Sequence, residues 1–165
     1  MAVTLSVQVK NATLKRQGLE HLRQEIPNIG AQRIYETLKR AQDQLKKPGR
    51  KPTYPIQWDS ERQRRAFFAT DGFGRGIPTK RSNAYIKAWK IRRNPSSQKV
   101  QAGYSLINDS LYARYVGGSA YGDGQSRIHQ GRWPLVRDVM ERQVAKLPKS
   151  IEDNIGMVAR REKLK

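Results

Sequence analysis

The sequence predicts an α+β fold: a small antiparallel sheet packed against an N-terminal helical hairpin and a C-terminal helix, with long basic and glycine-rich loops between them. Three observations predict it. Short stretches alternate apolar and polar residues, longer ones repeat an apolar residue every three or four positions, and segments rich in proline and glycine separate the two kinds. At 165 residues the chain has the size of one domain, taken as 1–165.

Taken in order, Val3, Leu5, Val7 and Val9 alternate with Thr4, Ser6 and Gln8 and read as a half-buried strand. Leu19, Leu22 and Ile26 then mark one face of a helix that Pro27 should stop. Asn28 can cap a second helix, whose face carries Ile34, Leu38, Ala41 and Leu45 and which ends before Pro48 and Gly49, so the two make a hairpin. Residues 46–80 form a basic arm or loop region, opening with the extended KKPGRKPTYP. Within it, Asp59 or Ser60 caps a short helix from Glu61 to Thr70, and DGFGRGIP is a loop. Arg81–Ala88 is a further helical stretch. WKIRR at 89–93 and QKVQAGYSLI at 98–107 read as paired strands, and Tyr112–Val116 as another. Residues 117–132 are a glycine-rich loop. Pro134 suits a first helical turn, Val136, Val139, Met140, Val144 and Leu147 form a stripe, and Ile151, Ile155 and Val158 continue it beyond Pro148. The charged tail 159–165 should fray.

Charge narrows the function. There are 33 Lys and Arg against 14 Asp and Glu, a net +19, of which residues 46–100 alone carry +12. That surplus repels itself and calls for an anionic partner. Tyr54, Trp58, Phe67, Phe68, Phe73, Tyr85 and Trp89 are interleaved with the cations, which argues for a folded basic surface over a disordered tail. No cysteine is present, so disulfides, thiolate metal sites and thiol nucleophiles are excluded. No stretch approaches the roughly 18 apolar residues of a membrane span, and Met1–Lys10 has no signal-peptide pattern, so a soluble chain with no membrane partner is expected.

Catalytic chemistry has little to draw on. His21 and His129 have no partners at ligand spacing, and Asp59 and Glu61 suit the electropositive start of a helix better than a metal nuclease. Gly72, Gly74 and Gly76 lack the preceding strand and following helix of a phosphate loop. No catalytic residue, metal site or cofactor is expected.

The order of elements, with Ile77-Pro78-Thr79-Lys80-Arg81-Ser82-Asn83-Ala84-Tyr85 ahead of the strands and Asn108-Asp109-Ser110-Leu111-Tyr112-Ala113-Arg114-Tyr115-Val116 after them, resembles the neck, or tail-completion, proteins of tailed bacteriophages. Arg132-Trp133-Pro134 stands where that family begins its final helix. The likeness covers residues 12–158; Ser82-Asn83 stands in place of the family's Thr-Gly, and Gly117-Gly118 in place of its Glu followed by Gly-Thr. The resemblance implies a non-catalytic virion subunit, assembled in the host cytoplasm into a homo-oligomeric ring at the head–tail junction. Its expected partners are portal, connector and tail proteins, or the double-stranded DNA of the channel. Cations expected to meet an acidic partner or DNA are Lys46, Lys47, Arg50, Lys51, Arg62, Arg64, Arg65, Arg75, Lys80, Arg81, Arg92 and Arg93. Subunit contacts are expected at Trp58, Phe67, Phe68, Phe73, Tyr112, Tyr115, His129 and Trp133, with Lys46–Pro55 and Gly117–Arg132 ordering on assembly. The alternative reading is a sequence-nonspecific nucleic-acid-binding protein with Lys46, Lys47, Arg50, Lys51, Arg62, Arg64, Arg65, Arg92 and Arg93 as phosphate contacts.

Overall fold

The computed structural model describes residues 14–70, 76–80, 82–94 and 103–162. The strand expected at 3–9, residues 71–75 of the expected loop with Phe73 and Arg75, Arg81, residues 95–102 between the paired strands and the last three residues of the charged tail lie outside the described residues. The fold is α+β, in the order α1 (Leu14–Leu45), β1 (Thr53–Tyr54), α2 (Glu61–Thr70), β2 (Ile77–Pro78), α3 (Ala84–Lys87), β3 (Trp89–Asn94), β4 (Gly103–Asn108), α4 (Ala113–Gly117), α5 (Val136–Val144) and α6 (Leu147–Arg161). Two antiparallel pairs, β1–β2 and β3–β4, are separate two-stranded sheets.

The expected N-terminal hairpin is instead one helix of 32 residues with Pro27 inside it. A proline removes one backbone bond and crowds the preceding turn. Here packing on both sides of it overrides that penalty. Leu22 and Ile29 are both buried against Ile155 of α6, with Leu19, Ile151, Val158 and Ala159 around them. A break at Pro27 would pull one of them off α6. The stripe 151–155–158 read from the sequence is therefore the face of α6 that holds α1 straight.

The C-terminal half of α1 serves the second cluster. Ala41 and Leu45 are fully buried with Val139 of α5, Trp89 of β3, Tyr85 of α3, Val116 of α4 and Trp133. The buried Gln42 side chain donates to the Trp89 carbonyl at 3.0 Å, and Tyr35 meets Tyr104 edge-on with ring centroids 5.5 Å apart, so α1 lies across the β3–β4 ribbon.

Other expectations are corrected. Tyr112–Val116 is not a strand: Val116 N donates to Tyr112 O and Gly118 N to Arg114 O, closing helical turns before Gly118 leaves with φ of 74°. The backbone groups of this segment are satisfied within it, by the bonds of a short helix. Arg81–Ala88 contracts to the single turn Ala84–Lys87, preceded by Asn83 in the left-handed region at φ 56°. Pro134 stands two residues before α5, and Pro148 lies in the first turn of α6, where its missing N–H costs nothing.

Within the core, Tyr85 Oη and Trp89 Nε1 are buried without a partner in hydrogen-bond geometry. Burial pushes the Tyr85 hydroxyl far above the ordinary tyrosine range, and the nearby Trp89 indole offsets only part of that. A Cβ placed on Gly117 would overlap this same hydroxyl. Gly117→Ala should therefore cost about 1–3 kcal/mol by overpacking. Tyr85→Phe removes both an unsatisfied buried hydroxyl and the clash, so it should stabilise the chain by about 1 kcal/mol and shrink the Gly117→Ala loss. A double-mutant cycle in urea checks this, and additive effects would refute it.

Candidate functional site

The basic arm is built onto the fold by backbone bonds. Gly49 N donates to Arg132 O at 2.6 Å, Lys51 N to Gly131 O at 3.1 Å and Thr79 N to Pro52 O at 2.9 Å. The short β1–β2 ladder pairs Thr53 with Pro78 and Tyr54 with Ile77. Gly76 permits this approach, because its φ of 108° suits only glycine and any Cβ there would strike the Tyr54 carbonyl. The two segments expected to order on assembly are thus clasped to one another inside a single chain. The glycine-rich segment is also braced internally: the Gln125 amide donates to Val116 O and Trp133 O, and Asp123 accepts from Arg114 at 2.6 Å and from the Ser119 hydroxyl. These bonds to Asp123, Ser119 first, hold its carboxyl below the usual range.

At the clasp the arm meets an aromatic cleft of about 350 Å³ between β1, β2, α3 and the 3-10 turn Arg127–His129. Trp133 Nε1 donates to Tyr54 Oη at 3.1 Å, and Tyr54 Oη and His129 Nδ1 are 2.7 Å apart. The indole can only donate, so Tyr54 Oη accepts from Trp133 and shares one further hydrogen bond with His129 Nδ1, whose direction follows the imidazole tautomer. Arg132 caps the Tyr54 ring at 5.2 Å and donates from Nε to Thr53 O. Burial raises the Tyr54 hydroxyl, and burial followed by the Arg132 charge lowers His129, so both stay neutral. Lys80, Thr79 and Asn83 form the polar rim of the cleft.

The lowered His129 sets a pH dependence. The unfolded imidazole binds a proton more readily than the folded one, so stability falls as pH drops below about 6.5 and levels off only beneath the folded pKa. Thermal unfolding between about pH 7 and pH 5 should show a drop that His129→Gln reduces. An equal drop in both proteins would refute this role.

The structure sorts the expected contact residues. Lys47, Arg50 and Lys51 are exposed and Lys46 half-buried, and none of the four makes an ion pair among the described residues. Lys80 is exposed beside them, one residue from the Thr79–Pro52 bond. By contrast, Arg64 and Arg65 share Glu61, at 3.2 and 3.5 Å, and Arg62 is exposed on the same helix. Arg92 and Lys90 share Asp109, at 3.4 and 2.7 Å; the Lys90 bond above all holds that carboxyl below the usual range. Arg93 is exposed at the far end of β3. The cations therefore lie in separate groups on the arm, α2 and the ribbon, and among the described residues only the arm group is wholly uncompensated.

Of the expected subunit contacts, Trp133 is corrected. It is 5% exposed and stacks edge-on against Tyr85 at 4.9 Å, so it is core. His129 is likewise committed to Tyr54. Trp58, ahead of α2, and Phe67, within it, are half-buried against each other, 4.9 Å between centroids. Tyr112 and Tyr115 remain 42% and 58% exposed beside Leu111, which is 99% exposed, and these are available to a partner. Nothing is described of the Phe68 side chain. Sequence reasoning missed Tyr54 and Arg132 as parts of the site. Their signal was faint: a Tyr-Pro and an Arg-Trp-Pro, which meet only through the clasp. Asn83 had none, since a left-handed asparagine is visible only in the backbone.

Among the described residues no group of His, Asp or Glu could hold a metal ion, and no helix is long and apolar enough to cross a membrane. The chain matches no protein-family model, no curated protein and no solved structure.

Proposed function

We propose that this chain is a structural subunit of a tailed-bacteriophage head–tail junction, a neck or tail-completion protein that forms a ring and performs no catalysis. The observation that carries the reading is the arm: Lys46, Lys47, Arg50 and Lys51 lack acid partners among the described residues, in a segment fixed in place through Gly131 and Arg132. A fixed, uncompensated row of cations gains by meeting an acidic protein surface or a phosphate backbone, and it does not lose the ordering entropy of a free tail. The exposed Leu111, Tyr112 and Tyr115 supply the kind of apolar and aromatic surface that protein interfaces use. The motifs at residues 77–85 and 108–116 that resemble those of the neck proteins support the same reading.

Exposed Arg62, Arg64 and Arg65 on one short helix favour the second reading, a nonspecific nucleic-acid-binding protein. Sedimentation of the purified chain, alone and with bulk double-stranded DNA, separates the two. Ring formation, with rings binding a portal or connector assembly, supports the neck subunit. A chain that stays monomeric and shifts bulk DNA in a salt-sensitive way supports the binder.

A further inference from the structure

The β3–β4 ribbon has two open edges, and its hydrogen-bond phase can be worked out. The register pairs Trp89 with Asn108 and continues to Asn94 with Gly103. One step further back, Asp109 N donates to the Ala88 carbonyl, so Ala88 and Asp109 are a hydrogen-bonded pair. Such pairs alternate along an antiparallel ladder. The bonded pairs are therefore Lys90–Ile107, Arg92–Ser105 and Asn94–Gly103. The backbone groups of Trp89, Ile91 and Arg93 point away from β4, and those of Tyr104, Leu106 and Asn108 point away from β3.

One contact confirms the phase independently: the Trp89 carbonyl, outward by this count, accepts from the Gln42 side chain. Beyond that point nothing among the described residues covers the edges. The outward amides of Ile91, Arg93, Tyr104 and Leu106 find no partner among the described residues, and no third strand joins the sheet. A two-stranded ribbon with bare edges is a template for strand addition.

Charge selects what can be added. β3 carries Lys90, Arg92 and Arg93, and β4, from Gly103 to Asn108, carries no charge. Pairing β3 with β3 would set these cations against themselves. Pairing β4 with β4 would close a dimer and leave both cationic edges bare. Only β3 against β4 uses both edges of every copy and lays the cations along an uncharged strand. That contact is head-to-tail, the kind that generates rings when the rotation closes.

We infer that the outer edge of β3 in one copy pairs antiparallel with the outer edge of β4 in the next, so that the ribbons of neighbouring copies join into one continuous β-belt. The inference rests on the ring reading and adds to it which surface joins the subunits.

The test compares the full chain with Arg93→Pro and Arg93→Thr. Proline at 93 deletes an outward N–H and leaves the ladder within the ribbon intact, and threonine removes the charge but keeps the N–H. Circular dichroism establishes that each variant is folded. Arg93→Pro should raise the concentration at which rings form by about tenfold, whereas Arg93→Thr should form them at least as readily as the parent. Amide exchange provides a readout that does not depend on a variant. In rings, the amides of Ile91, Arg93, Tyr104 and Leu106 should slow about a hundredfold relative to the monomer, while those of Lys90, Arg92, Ser105 and Ile107 are protected in both states.

Rings in which the four outward amides exchange freely, or in which only the β3 pair or only the β4 pair is protected, overturn the belt and leave the ring reading standing. Protection of all four in a monomer means that another part of the same chain covers the edges, which also overturns it. A chain that forms no ring at any concentration, with or without bulk double-stranded DNA, overturns both.

Discussion

Trp133→Ala is expected to lower the stability of the isolated chain by about 3–5 kcal/mol, a large part of the roughly 5–15 kcal/mol available to a domain of this size. The side chain is 5% exposed and packs in one cluster with Leu45, Val139, Tyr85 and Val116. Its loss leaves a cavity that these neighbours cannot fill together, because α1 is held by α6 as well as by this cluster. It also strips the Tyr54 hydroxyl of its donor and so loosens the contact with His129. Trp133→Phe keeps most of the volume and loses only that bond, so it should cost about 1–2 kcal/mol. Urea unfolding of the monomer measures both. A Trp133→Ala protein that unfolds like the parent yet fails to assemble would restore this residue to the subunit interface.

How far the sequence foretold this arrangement depends on the range of the forces involved. The α6 face at Ile151, Ile155 and Val158, the β3 strand and the Ser60 cap were legible because each is set within a few residues: periodicity in the first two, and in the third the Gln63 N–H donating to Ser60 Oγ at 3.1 Å. Pro27 misled because its local rule is real and is overruled by Leu22 and Ile29 packing on one residue, Ile155, far along the chain. Val116 misled for the opposite reason. Tyr112–Val116 has a strand's composition, yet its backbone bonds close within the segment into helical turns. Trp133 was expected at a subunit contact with the resemblance, and no local signal says that Tyr85 and Val139 come to meet it.

The site followed the same division. That the middle of the chain is basic was plain from composition. Which cations are already neutralised was not, since Asp109 reaches Lys90 and Arg92 only through the ribbon register, and the arm is fixed by bonds to distant residues, from 49 and 51 to 132 and 131 and from 79 to 52. The ribbon edges were hidden for a related reason: their openness follows from the hydrogen-bond phase, which the amino-acid types leave undefined.

Replacing Lys46, Lys47, Arg50 and Lys51 together by glutamine is expected to weaken binding to the anionic partner more than any other fourfold charge change. The comparison set is Arg64, Arg65, Lys90 and Arg92, equal in number but already paired with Glu61 or Asp109. Pairs this exposed contribute little to folding, so neither set should alter stability by more than about 1 kcal/mol. Removing the paired set also frees two carboxylates, but it takes away cations that a partner could use only in competition with them. If the partner is duplex DNA, each phosphate contact contributes about 0.9 to the slope of log affinity against log salt. The arm variant should then lose about 3–4 from that slope, and the paired set less than half as much. If the partner is an acidic connector surface, the arm variant should slow association and flatten its salt dependence while leaving the dissociation rate nearly unchanged, the pattern of a steering charge. Binding measured from about 50 to 200 mM salt distinguishes the cases. Equal losses from the two sets would mean that total charge, and not the clasped arm, meets the partner.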